Sequence, residues 1–203
     1  MITKTIGQYL DANVHIYEKN GEVLIIDCGA SVDKVKELVG SNKVIGILLT
    51  HGHFDHSCYC LEYSKEFGVK IYANENIVKT LSNGDAIYSE DKSTINDFSN
   101  FVFLSGDGKI EIGNFIISYY HSPGHSICCE CYLIDGNLFA GDVLFDRSIG
   151  RTDLINSDKN QMYDSLCKLE NVVFDTVYSG HGDENNYAQQ MKNIKVYKRF
   201  LTR

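Results

Sequence analysis

Three histidines and an aspartate fall within six residues in Thr50-His51-Gly52-His53-Phe54-Asp55-His56. Imidazole nitrogens and carboxylate oxygens together suit zinc, iron or manganese. At this chain's own His and Asp frequencies, a chance His-x-His-x-Asp-His has a probability on the order of one in a thousand. The run follows an apolar stretch, Lys43 to Thr50, so it exits a buried strand, where successive side chains diverge. His51 and His53 can then close on one cation, while Asp55 and His56, past a bend, can reach a second beside it. Unliganded imidazoles packed this closely would repel once protonated, which favours a metal site over a polar loop.

Three later segments supply further donors at strand ends, where sheets of this kind present their sites. They are His121-Ser122-Pro123-Gly124-His125-Ser126, Ala140-Gly141-Asp142 and Ser179-Gly180-His181-Gly182. His15 sits in the alternating Asn13-Val14-His15-Ile16-Tyr17 pattern and reads as a structural or surface residue.

The elements that must position these groups follow from periodicity and turn chemistry. Residues 2–9 and 13–18 alternate, Asn20-Gly21 is a hairpin signal, and Glu22 to Asp27 is an apolar strand. Ser31 stands as an N-cap before a helical face of Val32, Val35, Leu38 and Val39, closed by Gly40. Helices are expected at 57–67 and 75–82, with a strand between them at 69–73. Residues 83–100 read as a polar surface insertion bordering the site. Strands follow at 101–104, 109–112, 115–120, 128–134 and 137–141, with a loop at 121–126. Helix 159–169, strand 176–179, a loop around His181 and a terminal helix from about 186 to 201 complete the chain. The expected architecture is a layered α/β sandwich in one domain, two similar halves with their sheets face to face and helices outside.

Composition bounds the partners. With 19 basic and 27 acidic residues among 203, the net charge is −8, which repels phosphate backbones and disfavours nucleic acid. No apolar run of 18 residues and no export signal is present, so no membrane role and a cytoplasmic location are expected. The seven cysteines, an odd number, then read as reduced and mostly buried thiols. The single proline, where average usage predicts roughly ten, is Pro123, in the turn before His125.

Taken in order, these motifs resemble the metallo-β-lactamase superfamily, and within it the short glyoxalase II-like hydrolases. The resemblance runs from Asp27-Cys28-Gly29 through the histidine run, Ser122-Pro123-Gly124-His125-Ser126 and Gly141-Asp142-Val143-Leu144-Phe145 to Ser179-Gly180-His181-Gly182. It implies a four-layer αββα sandwich of two mixed sheets spanning residues 1–203. Carried over position by position, it implies that His51, His53 and His125 hold one divalent cation and Asp55, His56 and His181 a second, with Asp142 bridging. Zinc is the expected metal, with iron or manganese as alternatives.

The resemblance further implies that Asp27 orients ligands from behind and that His121, four residues before His125, supports the loop. The implied chemistry is attack of a metal-bridging hydroxide, oriented by Asp55, on a small-molecule thioester such as S-lactoylglutathione. Arg151 falls near a position where glyoxalase II enzymes contact the glutathione carboxylate, and a guanidinium fork suits such a group. Cys58 and Cys60 stand where relatives carry Gly-Gly, and the helical C-terminal domain of full-length glyoxalase II has no counterpart here. A second reading from the same resemblance is a mononuclear iron persulfide dioxygenase using His51, His125 and Asp142. A diiron electron-transfer role is disfavoured because those relatives place Glu where His53 stands, and a β-lactamase because no export signal is seen.

Overall fold

The computed structural model describes residues 1–83 and 94–201. Strands β1 (Ile2–Ile6), β2 (Asn13–Lys19) and β3 (Glu22–Ile26) form the expected antiparallel meander. Asn20 and Gly21 turn β2 into β3 at φ 53° and 79°, the two left-handed residues of a tight hairpin. The first strand stops at Ile6, three residues before its expected end. Leu10 and Asp11, neither of them glycine, adopt positive φ of 51° and 55° and break the ladder there.

Helix α1 (Val32–Val39) follows, with Ser31 at the N-cap position though its hydroxyl makes no capping bond, and Gly40 as its cap at φ 59°. Strand β4 (Lys43–Leu48) then runs parallel to β3 and leads into the histidine motif. A helix expected from residue 57 begins earlier, as α2 (Phe54–Ser57), followed by α3 (Cys60–Phe67). His53 takes the extended N-cap conformation, and the Ser57 hydroxyl donates to its carbonyl at 2.9 Å. Asp55 and His56 therefore leave the first turn of a helix rather than a loop.

Strand β5 (Ile71–Asn74), helix α4 (Ile77–Asn83) and strand β6 (Phe101–Leu104) complete a first sheet in the order β1-β2-β3-β4-β5-β6. Of the expected surface insertion at 83–100, residues 84–93 lie outside the described residues. The second half gives β7 (Gly108–Ile112), β8 (Phe115–His121), β9 (Glu130–Ile134), β10 (Asn137–Gly141), α5 (Lys159–Leu169), β11 (Thr176–Ser179), a two-residue β12 (Asn185–Asn186) and α6 (Tyr187–Leu201). Its sheet has the order β12-β11-β10-β9-β8-β7, and only β10 and β11 pair in parallel. Both sheets are mixed.

Period-2 alternation sorts the strands into layers. Leu24, Ile26 and Leu48 meet Phe115, Ile117, Tyr132 and Phe139 between the two sheets. Val23, Ile25 and Ile47 face the other way, onto Val35, Tyr63 and Ile77 of the first helical layer. Leu138, Ala140 and Val177 pack outward on Met162, Leu166 and Ile194. Three cores separate four layers, which is the αββα sandwich. His15 belongs to the middle core, edge-on to the Phe139 and Tyr178 rings at 5.6 and 5.4 Å between centroids.

Glu130 lies between the two sheets, away from the other buried acids Asp27, Asp55 and Asp142. It is fully buried, its Oε2 accepting from Asn74 Nδ2 at 2.9 Å while Oε1 has no partner, and burial pushes its carboxyl up to about 8. A folded-state pKa raised above the ordinary 4.5 means the folded chain holds a proton that the unfolded chain loses. The associated stability is fully present below pH 4.5 and is lost as pH rises to about 8. Glu130→Gln, which mimics the protonated acid, is expected to match wild type near pH 4.5 and to exceed it by about 4 kcal/mol at pH 8–9. Urea midpoints across that range check this, and a pH-independent difference would refute it.

Candidate metal centre

Strand ends from both sheets open on one rim of the sandwich, and the donors stand there. Beyond the end of β4, Thr50 and His51 enter the rim. Past β10 comes Asp142, past β11 comes His181, and the loop between β8 and β9 brings His125. Asn13 ties the rim together, its amide donating to the Ser179 and Gly182 carbonyls at 3.0 and 2.9 Å.

Two donor groups form. His51 Nε2 and His125 Nε2 lie 3.1 and 2.9 Å from His53 Nδ1. His56 Nε2, His181 Nε2 and Asp55 Oδ2 lie 3.2 to 3.4 Å from one another. Asp142 stands between them: Oδ2 is 3.4 Å from His125 Nε2 and 3.5 Å from His181 Nε2, and Oδ1 is 3.4 Å from His56 Nε2. All seven residues expected as ligands are thus brought together.

The far side of each ring settles its protonation. The Arg151 carbonyl, which can only accept, lies 3.1 Å from His125 Nδ1, so that nitrogen carries the hydrogen and Nε2 is a lone pair. Asp27 accepts from His56 Nδ1 at 2.9 Å, which keeps a hydrogen on that nitrogen and turns Nε2 toward His181, Asp55 and Asp142. Asp27 also accepts from the Thr50 hydroxyl at 2.8 Å, which leaves that oxygen to accept from His51 Nδ1 at 3.1 Å. One carboxylate, itself at φ 63°, therefore orients an imidazole of each group, directly for His56 and through Thr50 for His51.

This geometry fits cations and does not fit hydrogen bonding alone. Lone pairs on His51 and His125 converge on the one Nδ1 of His53, which can offer a single hydrogen between them. The buried Asp142 Oδ1 has no hydrogen-bond partner. Spacings near 3 Å are what nitrogen donors adopt around one ion at roughly 2.0–2.1 Å.

Electrostatics agree. Burial holds His51 well below the ordinary imidazole range, puts His53 at about 3 and lowers His125, so this group stays neutral, the form that ligates. Burial also pulls on His56 and His181, yet the Asp55 and Asp142 carboxylates raise both, His181 to about 9. Asp142, which burial pushes up, is held at about 2 by His56 and its neighbours. The two carboxylates demand positive charge between them, which protons or metal ions can supply.

The supporting residues sort as follows. His121 belongs to neither donor group; its Nε2 donates to the Ile127 carbonyl at 3.0 Å and its own carbonyl accepts from Lys168 at 2.7 Å, which braces the loop that carries His125. The same loop is pinned by Ser165 donating to the Pro123 carbonyl at 2.7 Å and Asp158 N to the Gly124 carbonyl at 2.8 Å. His121→Ala is expected to leave the metal content unchanged and to cost about 1 kcal/mol of stability. Elemental analysis beside a urea melt checks it, and loss of one metal would make His121 a ligand.

Arg151 lines the cleft over the centre, and its guanidinium pairs with Asp153, Nε to Oδ1 at 2.9 Å and Nη2 to Oδ2 at 3.0 Å. Its backbone role toward His125 has no sequence signal, since any residue offers a carbonyl. All seven cysteines are free thiols, five of them buried, and none joins a donor group among the described residues. Burial pushes the Cys58 thiol up to about 12, which makes it a poor nucleophile at neutral pH. Among the described residues no helix is long and apolar enough to cross a membrane.

A profile of the metallo-β-lactamase superfamily matches residues 8–181, a span that contains all seven donors. The chain is similar to the Probable metallo-hydrolase YqgX of Bacillus subtilis, 31% identical over 87% of this chain and 88% of that one. It is similar in structure to BLEG-1, a B3 metallo-β-lactamase, with TM-score 0.87, 28% identity and 100% of both chains covered. The hydroxyacylglutathione hydrolase of Shewanella pealeana is 26% identical, over 72% of this chain and half of that enzyme.

Proposed function

The chain belongs to the metallo-β-lactamase superfamily, and from that premise we propose that it hydrolyses an acyl thioester, S-lactoylglutathione or a related acyl-thiol, with two divalent cations, most simply zinc. The observation that carries the reading is the placement of Asp142 Oδ2 at 3.4 and 3.5 Å from ligand nitrogens of both donor groups, at the floor of an open cleft.

His51, His53 and His125 would hold one cation and Asp55, His56 and His181 the other, with Asp142 between. When bound, such a pair acidifies a shared water toward a pKa of about 7 and polarises a carbonyl oxygen. The protein's own groups do the rest. Asp55 lines the cleft, where its carboxylate accepts a hydrogen bond from the attacking water and fixes its direction. Asp27 and Thr50 keep His56 and His51 turned inward. Arg151, on the cleft wall, takes an anionic group of the thiol part while sharing its guanidinium with Asp153.

A C–O bond forms, the C–S bond breaks, and water's elements end as a carboxylic acid and a thiol. Free thiols ionise near pH 8.5, so the leaving group needs little protonation, and no acid is required of the protein.

Metal analysis of protein purified without added metal, run beside a thiol-release assay on a panel of acyl thioesters, tests the reading. Two metals per chain with thiol release are expected. One iron per chain with oxygen uptake on glutathione persulfide would overturn it in favour of the dioxygenase reading, which needs only His51, His125 and Asp142.

A further inference from the structure

The cleft over the centre encloses about 300 Å³ and has two chemically different walls. The second half of the chain contributes Arg151 and Leu154, with Arg151 held by Asp153. Beside the donors, the first half contributes Tyr9 and Leu10 from the β1–β2 loop, Phe54 from the first turn of α2, and Gln8, whose side-chain oxygen is taken up by the Tyr59 hydroxyl.

The first-half wall is apolar and faces water. Tyr9 is 42% exposed and Leu10 53% exposed, a state that costs hydrophobic free energy unless something covers it. Tyr9 packs edge-on against Phe54, ring centroids 4.8 Å apart, so the two rings make one surface. Phe54 lies between His53 and Asp55 in sequence, which fixes this surface beside both donor groups.

The wall is built to stay in place. Gly7 N donates to the Ala12 carbonyl at 2.7 Å and Gln8 N to the Gly29 carbonyl at 2.9 Å, closing the loop at its base. Tyr59 donates its hydroxyl to the Gln8 side chain. Leu10 and Asp11 hold left-handed backbone conformations at φ 51° and 55°, which non-glycine residues adopt at a cost of about 1 kcal/mol or more. A braced loop that spends strain to hold a leucine in water at the lip of a reactive centre is arranged for a ligand.

Charge argues for which part of the ligand. Among the described residues lining the cleft, Arg151 is the one permanent cation, and it stands on the other wall. An apolar surface cannot replace the hydration of a carboxylate or ammonium group, so the Tyr9–Leu10–Phe54 wall suits an uncharged group.

We propose that Tyr9, Leu10 and Phe54 form an acyl subsite, so that the substrate is a thioester of an apolar acid with a ring or an aliphatic chain of several carbons. This rests on the thioesterase reading and narrows it, within that range, to related acyl-thiols rather than the short, hydroxylated lactoyl thioester. The polar end of the thiol part then extends toward Arg151, and discrimination arises mainly from the acyl side chain, each added methylene covering more of the wall.

The test uses the metal-loaded full chain and acyl thioesters of N-acetylcysteamine, a small uncharged thiol, with acetyl, butanoyl, hexanoyl and phenylacetyl groups. From acetyl to hexanoyl or phenylacetyl, kcat/KM is expected to rise at least about tenfold, which corresponds to roughly 1.4 kcal/mol. In the double variant Tyr9→Ser, Leu10→Asn the phenylacetyl-to-acetyl ratio is expected to fall about tenfold. Both positions are exposed, and asparagine tolerates positive φ better than leucine, so the fold is retained; circular dichroism confirms it. A thermal-shift arm without turnover compares phenylacetate with acetate: phenylacetate should raise the melting temperature of wild type more than acetate does, and the variant should lose that difference. Thiol release with no acyl preference, or a preference that survives in the variant, overturns the acyl subsite alone. No thiol release from any member of the series overturns both it and the thioesterase reading.

Discussion

Asp142→Ala is expected to strip the centre of both cations and to lower kcat/KM by at least about a thousandfold, or roughly 4 kcal/mol. Among the described residues Asp142 is the one carboxylate whose oxygens lie within 3.5 Å of nitrogens from both donor groups, so its removal takes a donor from each at once. It also removes a countercharge that keeps His181 up at about 9 and His56 above its ordinary range. The first donor group would then be three neutral imidazoles alone, and the second would keep a single carboxylate. Asp142 belongs to none of the three hydrophobic cores, so the variant should fold. Metal content by elemental analysis, thiol release and a far-ultraviolet spectrum are the readouts. A variant that keeps two metals and a near-normal rate sinks the bridging assignment.

The second large effect is expected from a residue with no side chain. A Cβ at Gly180 would overlap Asp142 Oδ1 and lie 2.8 Å from His56 Cε1 and 3.0 Å from the Gly141 carbonyl carbon. The backbone cannot retreat: Gly180 N donates to the Gly141 carbonyl at 2.8 Å and the Gly180 carbonyl accepts from Asn13 N at 2.7 Å. Gly180 is not among the residues with positive φ, so alanine brings no conformational strain and the effect is a collision. Gly180→Ala should turn the Asp142 carboxylate away from His56, weaken cation binding by about 10- to 100-fold and reduce turnover in step. Metal titration against a chromophoric chelator measures this. Wild-type affinity with two ions bound would show that the carboxylate adapts, and with it that the site is looser than its packing indicates.

Much of the centre was legible because it is encoded by residue type. Histidine and aspartate at strand ends announce themselves, and the His51 to His56 run needs no tertiary information to be noticed. The order of strand and helix segments likewise made the layered sandwich readable, whereas the continuous apolar run from Val23 to Ile26 assigns neither residue pair to a face until both sheets and the helices are in place. What escaped notice is carried by backbone groups and by conformations without a residue signature. The Arg151 carbonyl that sets the His125 tautomer could belong to any side chain. Tyr9 was hidden at the end of the expected strand 2–9 because Leu10 and Asp11 turn the chain without glycine or proline. Helix α2 was placed too late because its N-cap is a histidine, whereas the residues that usually mark a helix start are Ser, Thr, Asp and Asn. Glu130 falls within the expected strand 128–134, whose sequence does not announce a buried acid, and the docking of Asn74 against it shows that it is enclosed.

The division of the donors between the two halves has a thermodynamic consequence. His51, His53, Asp55 and His56 come from the first half of the chain, and His125, Asp142 and His181 from the second. Cations held between them act as rivets across the sandwich, available only to chains whose sheets are already docked. By mass action, an ion at a hundred times its dissociation constant adds about 2.7 kcal/mol to the folded state. The melting midpoint thus becomes a readout of free metal concentration: it should climb as buffered metal rises and drop in a strong chelator, and the chain would report on the metal supply around it through its own lifetime.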